Sequence, residues 1–325
     1  MKLKRLTALL LSVMMVLSLA ACGGGGDTKD DSASGDLSGK TIIIGNITPV
    51  TGAQAAYGLA ITNSIQLAID EINAAGGILG ATVKLSTKDD QGTPAEAVSG
   101  FNSLLSEGAS AIIGATLSSC TSAITSLADD EGIVLVTPSS TADSITTKDD
   151  YVFRSCFKDS FQGEMVAAYA KDQGWTKAAV LYATGDTYSS GLHDSFVKAA
   201  EKYGLEIVCE QSSSDTGAVD FSSQLATIAA SGADMLFAPY YYDAVGPKII
   251  PQAREAGFKG AIMGCDGFDG TQDYTTGDLS AYENVYFTNH YSPEDSSEIV
   301  QNYVKNYTAK YGSESMNALG ALAYD

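Results

Sequence analysis

The sequence predicts an α/β protein of two doubly wound, parallel-sheet lobes joined by a hinge. Three observations carry that expectation. Short apolar runs alternate with amphipathic stretches along most of the chain, the alternation falls into two series, and 325 residues exceed one typical domain. With 45% hydrophobic residues and 33 glycines, there is material for two cores.

In order along the chain, Thr41–Ile44 reads as a fully buried strand, and residues 57–75 carry apolar side chains at helical spacings before Gly76 stops them. Val83–Leu85 alternates as a strand. Thr93-Pro94-Ala95-Glu96 is a capping box with proline at the first helical position, so a helix starts there. Ala111–Gly114 and Ile133–Val136 are the third and fourth strands, with one helix expected between them over Ser118–Asp130. A second series follows Tyr151–Arg154, with strands at Ala178–Tyr182, Leu205–Cys209, Met235–Ala238 and Ala261–Met263, and helices ending near Gly174, Gly204, Gly232 and Gly257. Beyond Val285–Thr288 the chain returns to a helical pattern over Ser297–Lys310 and stops at "NALGALAYD", inside what reads as another helix. Such βαβ series require parallel sheets covered on both faces.

Two strands open into small hydroxyls. "GATLSSCTS" follows the third and "VTPSSTADSI" the fourth, with no histidine or lysine beside either. A nucleophile would need a base, whereas a site for a small polar molecule would not. In open α/β sheets ligands bind at the carboxyl ends of the strands, where both clusters lie. For one cluster alone, helix capping would suffice as an explanation; two neighbouring strands with the same device point to a site. Hydroxyls and backbone N–H groups suit a carboxylate.

The N-terminus carries Lys2, Lys4 and Arg5, an apolar stretch from Leu6 to Leu19, and then Leu19-Ala20-Ala21-Cys22. The apolar stretch is too short for a membrane span and right for a secretory leader. "LAAC" resembles the bacterial lipobox, which implies residues 1–22 as a lipoprotein signal peptide, lipidation of Cys22 and an extracytoplasmic chain held by a membrane lipid anchor. Residues 23–39, rich in Gly, Ser and Asp, read as a flexible tether. A net charge of −20 argues against nucleic acid and anionic headgroups as partners. Cys120, Cys156, Cys209 and Cys265 match no metal spacing and read as buried free thiols in preference to bridges.

An enzyme is the rival class. His193 and His290 lie in different segments, neither has a nucleophile elbow beside it, and no dinucleotide or phosphate-loop glycine pattern occurs. "GCDGFDG" hints at a calcium loop, but Asp266 and Asp269 lack the odd-position spacing and the closing Glu. The expectation is a binding protein with no cofactor and no metal.

"TGAQAAYG", "AIDEINAAGGILG", "DEGIVLVTPSSTADSIT", "FRSCFKDSFQG" and "QAREAGFKG" together resemble type I periplasmic solute-binding proteins, specifically the leucine/isoleucine/valine-binding family of ABC transporters, from about Thr41 to the last residue. The resemblance implies lobe I over residues 40–156, lobe II over 157–288, and a return to lobe I over 289–325. It also implies rotation about Cys156–Lys158 and Thr288–Tyr291. It assigns the ligand's α-carboxylate and α-ammonium to Ser118, Ser139 and Thr141 from lobe I, aromatic walls to Tyr57, Tyr188 and Tyr241, and the acid that meets the ammonium to Asp266, where the branched-chain binder has the longer Glu. The family's first-lobe cysteines fall on Gly92 and Leu117, so its disulfide is missing. Its members continue several dozen residues past this "AYD", so the resemblance implies a C-terminally incomplete fold. The expected function is capture of an amino acid, branched-chain by preference, by a monomer that delivers it to a permease. A sensing lipoprotein, or a binder of a related amide, urea or polyamine, is the alternative.

Overall fold

The computed structural model describes residues 35–147, 151–313 and 315–325; the leader, Cys22 and most of the tether lie outside them. Strands β1 (Thr41–Thr48), β2 (Thr82–Asp89), β3 (Ala111–Gly114), β4 (Leu135–Thr137) and β5 (Val152–Arg154) form one parallel sheet in the order β2-β1-β3-β4-β5. A second parallel sheet holds β6 (Lys177–Ala183), β7 (Glu206–Ser213), β8 (Met235–Phe237), β9 (Ala261–Gly264) and β10 (Val285–Phe287) in the order β10-β9-β8-β6-β7. These are lobes I and II.

Side-chain alternation shows why lobe II is covered on both faces. Ala178 and Val180 of β6, Met235 and Phe237 of β8, and Ala261 and Met263 of β9 face a core that continues across the cleft into lobe I. The intervening Ala179, Leu181, Leu236 and Ile262 face a second core. Period-two geometry sends successive residues to opposite faces, so both sets must be apolar.

The elements follow their sequence signals with three corrections, one in a helix and two in strands. Helix α1 (Ala55–Ala74) lies over lobe I, and α2 (Pro94–Ser106) starts where expected, with Thr93 Oγ1 accepting from the Glu96 N–H at 3.4 Å. The single helix expected over Ser118–Asp130 is instead α3 (Ser118–Ser122) and α4 (Thr125–Glu131). The break has a local cause: Thr121 and Thr125 hydroxyls donate back to the Leu117 and Ser122 carbonyls, a competition that shortens helices rich in Ser and Thr. β4 begins at Leu135, two residues later than expected. In β1 the buried half is Gly45–Thr48, while Thr41 is exposed and Ile42–Ile44 half-buried.

In lobe II, α5 (Asp159–Asp172) and α6 (Thr187–Tyr203) touch backbone to backbone at Gly163, where a Cβ would lie 2.8 Å from the Phe196 nitrogen. Helix α7 (Ser222–Ala230) and α8 (Ile250–Glu255) cover the other face. The chain then returns: α9 (Glu298–Tyr311) seats Tyr303 and Tyr307 against Leu67 of α1, and α10 (Ala318–Tyr324) also lies on α1. The chain passes between the sheets after β5 and again after β10. All four described cysteines are free, three of them buried and Cys209 half-buried.

Candidate functional site

The loops that leave β3 and β4 are sewn to each other by their own hydroxyls. Thr137 Oγ1 donates to the Ala115 carbonyl at 2.8 Å, Ser139 Oγ to the Thr116 carbonyl at 2.8 Å, and Ser140 Oγ to the Ala115 carbonyl at 3.1 Å. Thr121 and Ser140 hydroxyls lie 2.5 Å apart. Much of the hydroxyl cluster is therefore scaffold. Ser118 and Ser119 are different, because neither side chain caps α3. Ser118 Oγ accepts from the Ala142 N–H at 3.3 Å, which leaves its own O–H to donate elsewhere, and Ser119 Oγ reaches across to Asp186 of lobe II at 2.9 Å.

Lobe II meets these loops with the turn after β9. Asp266 is 3% exposed, and its carboxylate is held on both oxygens: Oδ1 accepts from Gln162 Nε2 at 2.8 Å and from the Tyr188 hydroxyl at 3.0 Å, and Oδ2 faces His290 Nε2 at 3.2 Å. The next residue is a glycine for a steric reason. A Cβ on Gly267 would stand 2.7 Å from the Tyr240 carbonyl and 2.8 Å from the Tyr188 hydroxyl, which itself accepts the Gly267 N–H at 2.8 Å. Across the cleft, Tyr57 donates its hydroxyl to the Gly267 carbonyl at 2.7 Å. Tyr188 and Tyr241 stack at 5.0 Å, and Tyr57 meets Tyr241 edge-on at 6.5 Å. Burial pushes all three phenols well above their ordinary range, so they act as neutral donors and apolar walls.

Tyr57, Ser118, Ser139, Tyr188, Tyr241 and Asp266 line one cavity, joined by Thr116, Leu117, Gly267 and Leu319. Of the residues singled out from sequence, Thr141 alone is not among the lining; it lies behind, with its carbonyl accepting the N–H of Asp159 at 3.0 Å. The cavity measures about 10 Å³, near the room one water needs. The lobes are drawn together here. Gln54 donates to Asp243 at 2.9 Å, and the Ala318 N–H to Asp269 at 2.6 Å, each contact bridging lobe I and lobe II. Burial raises Asp186, Asp243 and Asp269 above the ordinary carboxylate range.

Sequence reasoning missed Leu319, Gln162 and the attachment of His290 to Asp266. Gln162 stands in the quoted "FRSCFKDSFQG", so its pattern was visible and its contact was not. Among the described residues, no group of three His, Cys, Asp or Glu side chains could hold a metal ion, and no helix is long and apolar enough to cross a membrane.

This geometry has counterparts. A sequence profile described as "Periplasmic binding protein" matches residues 41–325. The chain is 32% identical over 250 residues to Leu/Ile/Val-binding protein homolog 3 of Brucella melitensis, a match covering 76% of this chain and 67% of that protein. Among solved structures, a leucine-binding protein, LivK, of Thermotoga maritima superposes with a TM-score of 0.81 at 31% identity, covering 87% of this chain and 80% of that one. The branched-chain amino acid transporter substrate-binding protein LivJ of Streptococcus pneumoniae, solved with isoleucine, gives 0.79 at 33% identity, covering 88% and 81%. Two five-stranded parallel lobes closing on a small cavity, a match along nearly the whole described chain and these likenesses agree, and the protein belongs to the periplasmic binding protein family.

Proposed function

We propose that the protein captures an amino acid with an apolar, preferably branched side chain between its lobes and delivers it to an ABC transporter permease. The observation that carries this is the cavity's composition: the Asp266 carboxylate of lobe II faces the Ser118 and Ser139 hydroxyls of lobe I, with Leu117, Leu319 and three tyrosines around them. The α-ammonium goes to Asp266. The α-carboxylate goes to the Ser118 hydroxyl, whose proton is uncommitted, with Ser139 lining the cavity beside it and Thr141 behind. The apolar and aromatic walls take the side chain. A binding protein releases its ligand unchanged, and the chain works as a monomer without cofactor or metal.

Closure supplies affinity by removing these contacts from water. A micromolar dissociation constant corresponds to about 8 kcal/mol, within reach of a few charge-assisted bonds and one apolar contact after ordering costs. Titration calorimetry with leucine, isoleucine, valine, alanine and spermidine checks the reading. Micromolar binding of the branched-chain set is expected, and a response to spermidine alone would sink it.

The basic leader, its apolar stretch and "LAAC" support a lipid anchor on Cys22, outside the membrane, with residues 23–39 as tether. Cys22→Ser should move the protein from the membrane fraction to the soluble one. Wild-type protein that is already soluble and takes up no radioactive palmitate removes the anchor.

A further inference from the structure

His290 belongs to the second passage between the lobes, yet its ring reaches into the site. Nε2 lies 3.2 Å from Asp266 Oδ2, and both side chains are almost wholly buried, at 3% and 4% exposure. Its face stacks on Phe157 of the first passage, centroids 3.5 Å apart and planes 23° apart. One imidazole thus joins both passages to the acid of the ligand cavity. His290 also lines a surface groove with Tyr291, Asp295 and Asp325, although its side chain is almost wholly buried.

The surrounding charges are few and defined. Gln162 Nε2 ties Asp266 to Asp159 at 2.8 and 3.4 Å. The thiols of Cys156 and Cys265, the Tyr188 phenol and Asp269 also feel the Asp266 charge, and Arg154 acts on Cys156 and Asp159. Burial raises Asp159 well above the ordinary carboxylate range and the thiols above theirs. An ionised carboxylate offers about four acceptor positions, of which Gln162, Tyr188 and His290 take three. An incoming ammonium takes the fourth and meets His290 as a rival cation.

Taking the amino-acid reading above as given, we propose that His290 is a positioning residue that makes capture proton-linked: the imidazolium neutralises Asp266 before binding, and the ligand's α-ammonium replaces that charge as a proton leaves. The proton departs from Nδ1 to solvent or buffer, while the Nε2–H bond stays intact and keeps donating to Asp266 Oδ2. One cation beside Asp266 is thus exchanged for another, and the ligand's carboxylate enters separately at Ser118. The sign follows: low pH holds the competing imidazolium and weakens binding, and raising the pH removes it and strengthens binding.

Leucine titrated calorimetrically at pH 6.5 in buffers of different ionisation enthalpy counts the protons. A fractional release, approaching one at lower pH, is expected, with affinity falling up to about tenfold per pH unit as the pH is lowered. His290→Gln retains a donor for Asp266 and carries no titrating proton. It should show no release and a flat pH profile, and bind leucine more tightly than His290→Ala. Leucine binding without proton exchange in the wild type overturns the proposal and leaves the amino-acid reading standing. Full release persisting in His290→Gln also overturns it, by placing the proton on another group, such as one of the buried carboxylates. Absence of binding by any of the four amino acids at pH 8 overturns both.

Discussion

Asp266→Asn weakens leucine binding by one to two decades, the expected loss of one charge-assisted hydrogen bond worth about 1.5–3 kcal/mol. Asparagine is the informative replacement because the structure shows what it preserves. Its carbonyl can keep accepting from Gln162 and Tyr188, and its amide nitrogen faces a histidine nitrogen that can accept in one tautomer. The charge is lost, and with it the acceptor positions of Oδ2. Asp266→Ala removes more, since it strands three buried donors, and should cost at least as much in affinity together with stability. Ser118→Ala should act through the ligand's carboxylate, and the two effects need not add because both fall on one small zwitterion. Calorimetry with leucine, isoleucine, valine and alanine compares the variants with wild type. Unchanged affinity in Asp266→Asn would take Asp266 out of the site.

The largest effect on stability is expected at Phe196. The ring is fully buried in lobe II, 4.4 Å from that of Phe237, on a helix that Gly163 allows to touch its neighbour without a gap. Neighbours pressed this close have little freedom to collapse into a hole. Phe196→Ala should therefore cost about 3–5 kcal/mol. That amounts to roughly 6–20 °C in the melting temperature of a unit of this size. A thermal melt followed by circular dichroism measures it, and a shift below about 2 °C would mean that the site repacks freely. Phe196→Leu, which fills most of the volume, should lose much less.

The reach of the sequence followed the range of each interaction. Strand positions were legible because apolar runs and their period are local, and the Thr93 helix start was legible because cap and first turn are contiguous. The break between α3 and α4 was not, since it depends on where Thr121 and Thr125 send their hydroxyls. Tyr57, Ser118, Ser139, Tyr188, Tyr241 and Asp266 were named from strand-end logic and a family resemblance, and the structure gathers them around one cavity. Gln162 and His290 were not found that way. Gln162 meets Asp266 from 104 residues away, and His290 was weighed only as a catalytic base. A carboxylate's supporting donors leave no local periodicity. They become visible only when two lobes are folded and the passages between them are traced.

Three of the bridges between the lobes pair carboxylates with uncharged donors: Asp186 with a serine hydroxyl, Asp243 with a glutamine amide, Asp269 with a backbone N–H. Among the described residues, each ion pair formed by a lysine stays within its own lobe. Dissolved ions screen attraction between opposite charges and have little hold on bonds of this kind. These three contacts across the cleft are thereby less sensitive to ionic strength than pairs of opposite charges would be.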